Sequence, residues 1–304
     1  MRVVDLPEIL AAIDADEVTA AIEEGFRRYS SGQAEAMAVG HLSFEDPPGD
    51  CHAKGAYLRG DDVFVSKLTT GFYRNDLVGL PTSNGFSAVA SARTGEILAI
   101  LHDLGQLTDL RTALTGAIAA RLIARADTRV LGIVGSGTQA VLQAKWVAKA
   151  LGIETILVWA RDPAKAATIG GEVVPLAELV ARSDLIVTTT PAKEALITAD
   201  MARPGLRIVA VGCDTPGKSE IAPEMMAQAR IVVDSRSQCL HHGDTANAVA
   251  AGLIDGSDLI ELGELIASPV AFGEEEIVVV DLTGVAVQDV QIAKAVWAKV
   301  SAGD

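Results

Sequence analysis

The feature that most restricts this 304-residue chain is a run near its middle, Val130-Leu131-Gly132-Ile133-Val134-Gly135-Ser136-Gly137-Thr138-Gln139-Ala140. The pattern GxGxxA lies directly after an apolar strand and directly before a segment of helical period. Each small residue has a physical role there. Gly135 permits a tight turn, Gly137 lets a pyrophosphate approach the backbone, and Ala140 lets the helix pack close to the strand. The first helical turn, at Thr138 and Gln139, then presents backbone N–H groups to the phosphates. The acid that holds a ribose 2′-hydroxyl is expected about 20 residues beyond such a motif. Here that position is the small, neutral Ala160, and the next residue is Arg161, a guanidinium suited to a 2′-phosphate. NADP(H) is therefore favoured, with NAD(H) left open by Asp162.

The texture around the motif agrees with an open α/β sheet. From Arg129 onward, short buried strands (130–134, 155–159, 185–189, 208–212, 231–233, 277–281) alternate with helices (139–151, 176–182, 223–228, 245–253). That alternation is the signature of a doubly wound, Rossmann-type parallel sheet covered on both faces. The first part of the chain reads differently. Apolar residues at helical spacing predict an opening helix over 16–29, with Asp16 as N-cap and Gly32 just past its end. Residues 37–103 read as an antiparallel sheet, with strands at 63–68, 85–90 and 97–101 and a turn at Arg93-Thr94-Gly95. An Ala- and Leu-rich helix follows over 107–124, with Thr108 or Asp109 near its first turn. A last helix over 289–300 is expected to return to the first domain. The expected partition is a smaller α+β domain, 1–118 with 289–304, and a dinucleotide-binding domain, 119–288.

Charge and composition remove several function classes. The 25 Lys+Arg face 40 Asp+Glu, a net charge of −15, and no basic run offsets that acidic field. Nucleic-acid and anionic-membrane binding are disfavoured accordingly. At 49% hydrophobic and 21% charged residues the chain can bury a sizeable core. None of its apolar runs approaches the roughly 20 residues of a membrane span. Met1 to Pro7 carries an acid and a proline where a signal peptide places its apolar stretch. Cys51, Cys213 and Cys239 are scattered and lack CxxC spacing, which argues against a disulfide framework or zinc site, and a cytoplasmic location is expected. The adjacent His241 and His242 point apart, and no metal site is expected.

Ahead of the Gly-rich turn stand Lys67, Asn75, Gly79-Leu80-Pro81, Gly85, Thr94-Gly95 and Leu107-Thr108-Asp109-Leu110-Arg111-Thr112-Ala113. After it come Val211-Gly212-Cys213-Asp214-Thr215-Pro216-Gly217-Lys218-Ser219-Glu220 and Thr283-Gly284-Val285-Ala286-Val287-Gln288-Asp289. This order, over nearly the whole chain, resembles the ornithine cyclodeaminase/mu-crystallin family. The stretch GFYRN…GLPTSNG is most similar to its ectoine-utilisation cyclodeaminase-like branch.

The resemblance implies a homodimer whose first domain supplies the subunit interface and the substrate pocket, facing a nicotinamide held by the second. It also implies roles. Arg111 corresponds to a fork for an α-carboxylate. Lys67 corresponds to the active-site lysine, which binds the carboxylate or polarises the C–N centre. Asp214 corresponds to an aspartate that activates water or moves a proton at the imine carbon. Asn75 joins them as a substrate-binding residue. Thr189, Thr190, Gly212, Gly284 and Val285 are the further expected cofactor contacts, because ligands of such sheets sit beyond the carboxyl ends of the strands. Without the family pattern, Lys67 and Arg111 would read as solvated surface charges.

One position departs from the pattern. Where ornithine cyclodeaminases place a glutamate for the substrate's distal ammonium, this chain has Lys54, and an arginine of many relatives is absent or replaced by His41. A lysine facing a cationic side chain costs binding energy, so ornithine and lysine are disfavoured as substrates. Lys54 instead suits an acidic or neutral substrate, unless it points to solvent. The expected activity is hydride transfer at Cα of a small α-amino or α-imino acid, as an imine reductase or amino-acid dehydrogenase. The alternatives are a cyclodeaminase using catalytic NAD+ and a non-catalytic cofactor- and ligand-binding protein.

Overall fold

A computed structural model describes residues 1–72 and 74–302. Tyr73 of the GFYRN stretch and the last two residues of the expected 289–304 segment lie outside the described residues. In chain order the elements begin with β1 (Arg2–Val4), α1 (Leu6–Ala12), α2 (Ala15–Ser30), β2 (Ala34–Ala36), β3 (Gly40–Glu45), β4 (Pro48–Leu58), β5 (Val63–Phe72), β6 (Ser83–Ser91), β7 (Ile97–Leu101) and α3 (Gln106–Ile123). They continue with β8 (Val130–Val134), α4 (Thr138–Leu151), β9 (Thr155–Trp159), α5 (Pro163–Ala166), β10 (Glu172–Val173), α6 (Leu176–Arg182), β11 (Leu185–Thr188) and β12 (Arg207–Ala210). Then come α7 (Pro223–Met226), β13 (Ala229–Val233), α8 (Arg236–Cys239), α9 (Gly243–Ala250), β14 (Ile260–Glu261), α10 (Leu262–Ala267), β15 (Ile277–Asp281) and α11 (Ala286–Ser301). Two compact units result: Met1–Arg111 with Val285–Asp304, and Thr112–Gly284.

The first unit is a seven-stranded sheet in the order β1-β7-β6-β5-β4-β2, with β3 also paired to β4. Apart from the parallel β1/β7 edge, every pairing is antiparallel. Helix α11 packs on β4 and β5 and against α2. The fit with α2 is close: a Cβ on Gly25 would stand 2.8 Å from Cγ of Gln291. Helix α2 is capped two residues earlier than its periodicity suggested. Its N-cap is Asp14, in extended conformation, whose Oδ1 accepts from Asp16 N (3.0 Å) and Glu17 N (3.1 Å). Asp16, expected as the cap, lies in the first turn, where its charge favours the positive end of the helix dipole. Strand β3 is exposed along its whole length, including Leu42 and Phe44.

The second unit is an eight-stranded, wholly parallel sheet in the order β10-β9-β8-β11-β12-β15-β13-β14. Its strands are near-continuous apolar runs because both faces are covered, as the burial of Leu131, Ile133, Leu157, Ile186, Ile208 and Val279 shows. The chain runs outward from β8 in one direction through β9 and β10, then restarts at β11 on the other side. That reversal is the topological switch point, where doubly wound folds hold their ligands. Strands β11 and β12 end at Thr188 and Ala210, earlier than expected, so Thr189, Thr190 and Gly212 stand just beyond the strand ends. No helix among the described residues is long and apolar enough to cross a membrane.

Candidate active site

Lys67 sits in mid-β5, directly opposite Lys54 on β4 and Ser87 on β6. Residues opposed in an antiparallel pair share a face, so Lys54 and Lys67 belong to the same side of the sheet. Lys67 is only 5% exposed. Its Nζ donates to Thr108 Oγ1 at 3.0 Å and to Asp289 Oδ1 at 2.8 Å. Arg111 follows Thr108 by three positions on α3 and shares its face. Its Nε stands 2.9 Å from the same Asp289 oxygen, and its Nη1 donates to Gln288 Oε1. One carboxylate from the first turn of α11 thus gathers a lysine from the sheet and an arginine from α3, all within the first unit. Asp289 Oδ2 is buried and accepts no hydrogen bond from the described residues.

The charges shift one another in opposite directions. Burial alone would raise the Asp289 carboxyl, but Arg111, Lys67 and Lys54 together hold it below its ordinary value. Lys67 falls from 10.5 to about 8, chiefly through burial, with Arg111 and Lys54 adding and Asp289 opposing. Asp103, also buried, is pushed up by desolvation and caps α3 by accepting Leu107 N at 2.9 Å. That leaves Thr108, read from the sequence as a first-turn residue, to orient Lys67. The result is a lysine able to give or take a proton near neutral pH, in a water-poor setting where cations outnumber the one carboxylate they surround.

Asn75 and Asp214 have other attachments. The Asn75 amide donates to Pro81 O at 2.9 Å and closes the Gly79-Leu80-Pro81 turn. It is not among the groups that hydrogen-bond Lys67 or Arg111. Asp214 belongs to the loop after β12 in the second unit, half-exposed and paired with Lys218 Nζ at 2.5 Å.

The Gly-rich turn has the shape its sequence demanded. Gly135 adopts φ +135°, and a Cβ there would lie 2.3 Å from Thr189 Oγ1. A Cβ on Gly137 would meet nothing within 4 Å, so the backbone over the first turn of α4 is open. Helix α4 starts at Thr138 with no side-chain cap. An adjacent cavity of about 680 Å³ is lined by Gly137, Ala160, Arg161, Lys165, Thr189 and Thr190. Asp162, the acid that left NAD(H) open, caps α5 instead: its Oδ1 accepts from Ala164 N (2.9 Å) and Lys165 N (3.4 Å). An uncapped helix start, open backbone and a roomy cavity that carries Arg161, Lys165 and Lys193 beside Asp162 and Glu194 fit a dinucleotide. The Gly284 N–H is committed to Asp234 Oδ2 at 2.7 Å, and the Val285 side chain is buried, so neither expected contact offers that group to a ligand.

Beneath the strand ends lies a group of buried acids that the sequence did not single out. Glu220 accepts from Thr188 Oγ1 and from both N and Oγ1 of Thr190, as well as from Gly212 N. Burial and the charge of Asp244 push it up to about 7. Asp244 and Asp281, fully buried, are raised by desolvation, with Asp244 adding to the rise of Asp281. Asp289, Thr108 and Glu220 are thus functional candidates missed as such. Asp289 and Glu220 stood inside quoted motifs, but nothing in a linear pattern says that an acid is buried among donors or cations. Among the described residues no three His, Cys, Asp or Glu side chains gather as metal ligands.

Known proteins share this architecture. The sequence profile of the ornithine cyclodeaminase/mu-crystallin family matches residues 3–304. Alanine dehydrogenase of Archaeoglobus fulgidus is 35% identical over 302 residues, covering 95% of this chain and 92% of its own. A solved archaeal alanine dehydrogenase dimer with bound NAD has a TM-score of 0.91 at 32% identity, covering 100% of this chain and 97% of its own. Iminosuccinate reductase of Paracoccus denitrificans, solved with NAD+, has a TM-score of 0.89 at 29% identity, covering 100% and 97%. Alongside these dehydrogenases and reductases, the chain belongs to the ornithine cyclodeaminase/mu-crystallin family and is an enzyme of oxidoreductase type.

Proposed function

We propose that this enzyme interconverts a small α-amino acid and its α-imino acid by NAD(P)-linked hydride transfer at Cα. The observation that carries the reading is the convergence of Lys67 and Arg111 on the buried Asp289. Bound nicotinamide supplies the hydride in the reductive direction and takes it up in the oxidative one. Arg111, oriented by Gln288 and Asp289, grips the substrate carboxylate, with Lys54 as a second cation on the same face. Thr108 and Asp289 accept two of the three Lys67 Nζ hydrogens and aim the third at the substrate nitrogen. As an ammonium, Lys67 gives that nitrogen a proton while the imine is reduced; as a free amine it takes the proton back in the reverse direction. Asp289 Oδ2 accepts from the substrate N–H.

NADP(H) is the favoured cofactor. Ala160 leaves the 2′ position uncontested, Arg161 and Lys165 stand on the cavity rim, and the Asp162 carboxylate is occupied at α5. The exposed apolar edge at β3, with Leu42 61% and Phe44 43% exposed, suits pairing with a second copy, and the related archaeal alanine dehydrogenase is a dimer.

The test is a spectrophotometric screen of purified protein with NADPH or NADH, small 2-oxo acids plus ammonia or methylamine, and cyclic imines. Stoichiometric oxidation of the cofactor, abolished by Lys67→Ala, is the expected result. Ammonia release from a diamino acid with only catalytic NAD+, and no net cofactor consumption, would overturn the reading in favour of a cyclodeaminase.

A further inference from the structure

Four hydrogen bonds converge on one side chain between the ends of two neighbouring strands. Glu220 Oε1 accepts from Thr190 N at 2.5 Å and Thr190 Oγ1 at 2.8 Å, and Oε2 accepts from Gly212 N at 2.7 Å and Thr188 Oγ1 at 2.8 Å. Glu220 is fully buried. The residue's own backbone is fixed in turn. Asp244 Oδ1, from the first turn of α9, accepts from Glu220 N at 2.9 Å and Ile221 N at 3.1 Å, and Glu220 O accepts from Leu196 N (2.8 Å) and Ile197 N (3.0 Å). The backbone at Gly212, where the carboxylate bridges to Thr190, has no room for a side chain. A Cβ on Gly212 would stand 2.3 Å from Thr190 O and 2.7 Å from Glu220 Cδ.

The position of this clamp in the sheet gives it meaning. The pyrophosphate turn follows β8, and the adenosine ribose is read at the end of β9, on one side of the switch point. A dinucleotide laid across that point must place its other half over the ends of β11 and β12, the two strands Glu220 ties together. Resting on the cofactor reading above, we propose that Glu220 is a positioning residue that holds Thr190 and Gly212 as the floor for the nicotinamide half of the cofactor. Each carboxylate oxygen faces a backbone N–H, Thr190 on one side and Gly212 on the other. A glutamine there must turn its NH2 toward one of them, so Glu220→Gln forces apart one strand end whichever way the amide flips.

The experiment is direct binding by fluorescence titration, with NADPH, NADH and the half-cofactor 2′,5′-ADP as probes, together with the thermal midpoint of the cofactor-free protein. Glu220→Gln is expected to raise the Kd of the full dinucleotide at least tenfold while that of 2′,5′-ADP stays within twofold. Equal weakening of both probes, or an unchanged dinucleotide Kd beside a lowered midpoint, would overturn the proposal and leave Glu220 a purely structural residue. If Glu220→Gln does not fold, Thr188→Val removes one of the four donors at nearly constant volume and is expected to show the same selective loss in milder form. Its absence there would equally overturn the proposal. Failure of the wild-type protein to bind any of the three probes would instead refute the cofactor reading itself.

Discussion

Replacing Asp289 by asparagine keeps the shape of the side chain and removes the one negative charge at the meeting point of Lys67 and Arg111. At 2.8 Å from Lys67 Nζ, a unit charge in surroundings of effective dielectric near 20 attracts it by about 6 kcal/mol. That is a ceiling of roughly four pH units, and nearby opposite charges in proteins usually account for about one to three. Lys67, already lowered to about 8 with the carboxylate present, is therefore expected to fall by at least about one further unit. The assay is the pH dependence of kcat/KM. In the reductive direction the wild-type rate is expected to decline above about pH 8, where Lys67, as the proposed donor, loses its proton. In Asp289→Asn the decline begins at least about one unit lower, and the rising limb of the oxidative direction moves the same way. A basic limb that stays where it was would refute the assignment of Lys67 as the proton donor governed by Asp289.

The same substitution makes a thermodynamic prediction. Lys67 titrates lower in the folded protein than its ordinary 10.5, so its charge opposes folding below about pH 8, and stability rises as pH climbs from 8 toward 10.5. In the variant the lysine escapes an unpaired charge by shedding its proton, at about 1.4 kcal/mol for each pH unit below 8. The destabilisation passing through Lys67 is thus bounded at about 1.4 kcal/mol at pH 7 and vanishes by pH 9. The part passing through the Arg111 guanidinium persists at both pH values. Urea unfolding of the two proteins at pH 7 and pH 9 measures the difference directly. A stability gap that does not narrow with pH would contradict the coupling.

Three further outcomes are expected. Arg161→Ser should weaken NADPH binding by about 10- to 100-fold, the worth of one charge-assisted contact, and leave NADH nearly unaffected; titration with both cofactors checks it. Gly137→Val should leave the thermal midpoint close to wild type, because a Cβ there meets no protein atom within 4 Å, yet abolish dinucleotide binding by filling the phosphate's approach. The double change Leu42→Glu with Phe44→Glu, placing charges on the exposed strand β3, should convert a dimer to a monomer in sedimentation or light scattering.

The linear pattern was enough for elements whose stability is local. Strands β8, β9 and β15 and helix α6 fall where periodicity put them, because a short apolar run bounded by glycine or charge has one stable use in a two-sided parallel sheet. The Gly135 turn was legible for a similar reason: its backbone needs a conformation that residues with a Cβ rarely adopt. Lys67 and Arg111 were legible only through the order of motifs that carries the family resemblance. What the sequence left open depended on contacts distant along the chain. Lys67 and Asp289 are 222 residues apart, and only the packing of α11 against β4 and β5 makes an ordinary helix acid the anchor of a cationic site. Lys54, ambiguous as a strand residue, is assigned to the face of Lys67 by sheet register. Glu220 stands in the sequence only as the last residue of the Val211–Glu220 motif, and burial between two strand ends turns it into a clamp. Local backbone preference and hydrophobic period are properties of neighbours in sequence, whereas burial and electrostatic coupling belong to neighbours in space. For that reason the linear pattern carried the family and the elements of strong local period, and packing decided which charges act together.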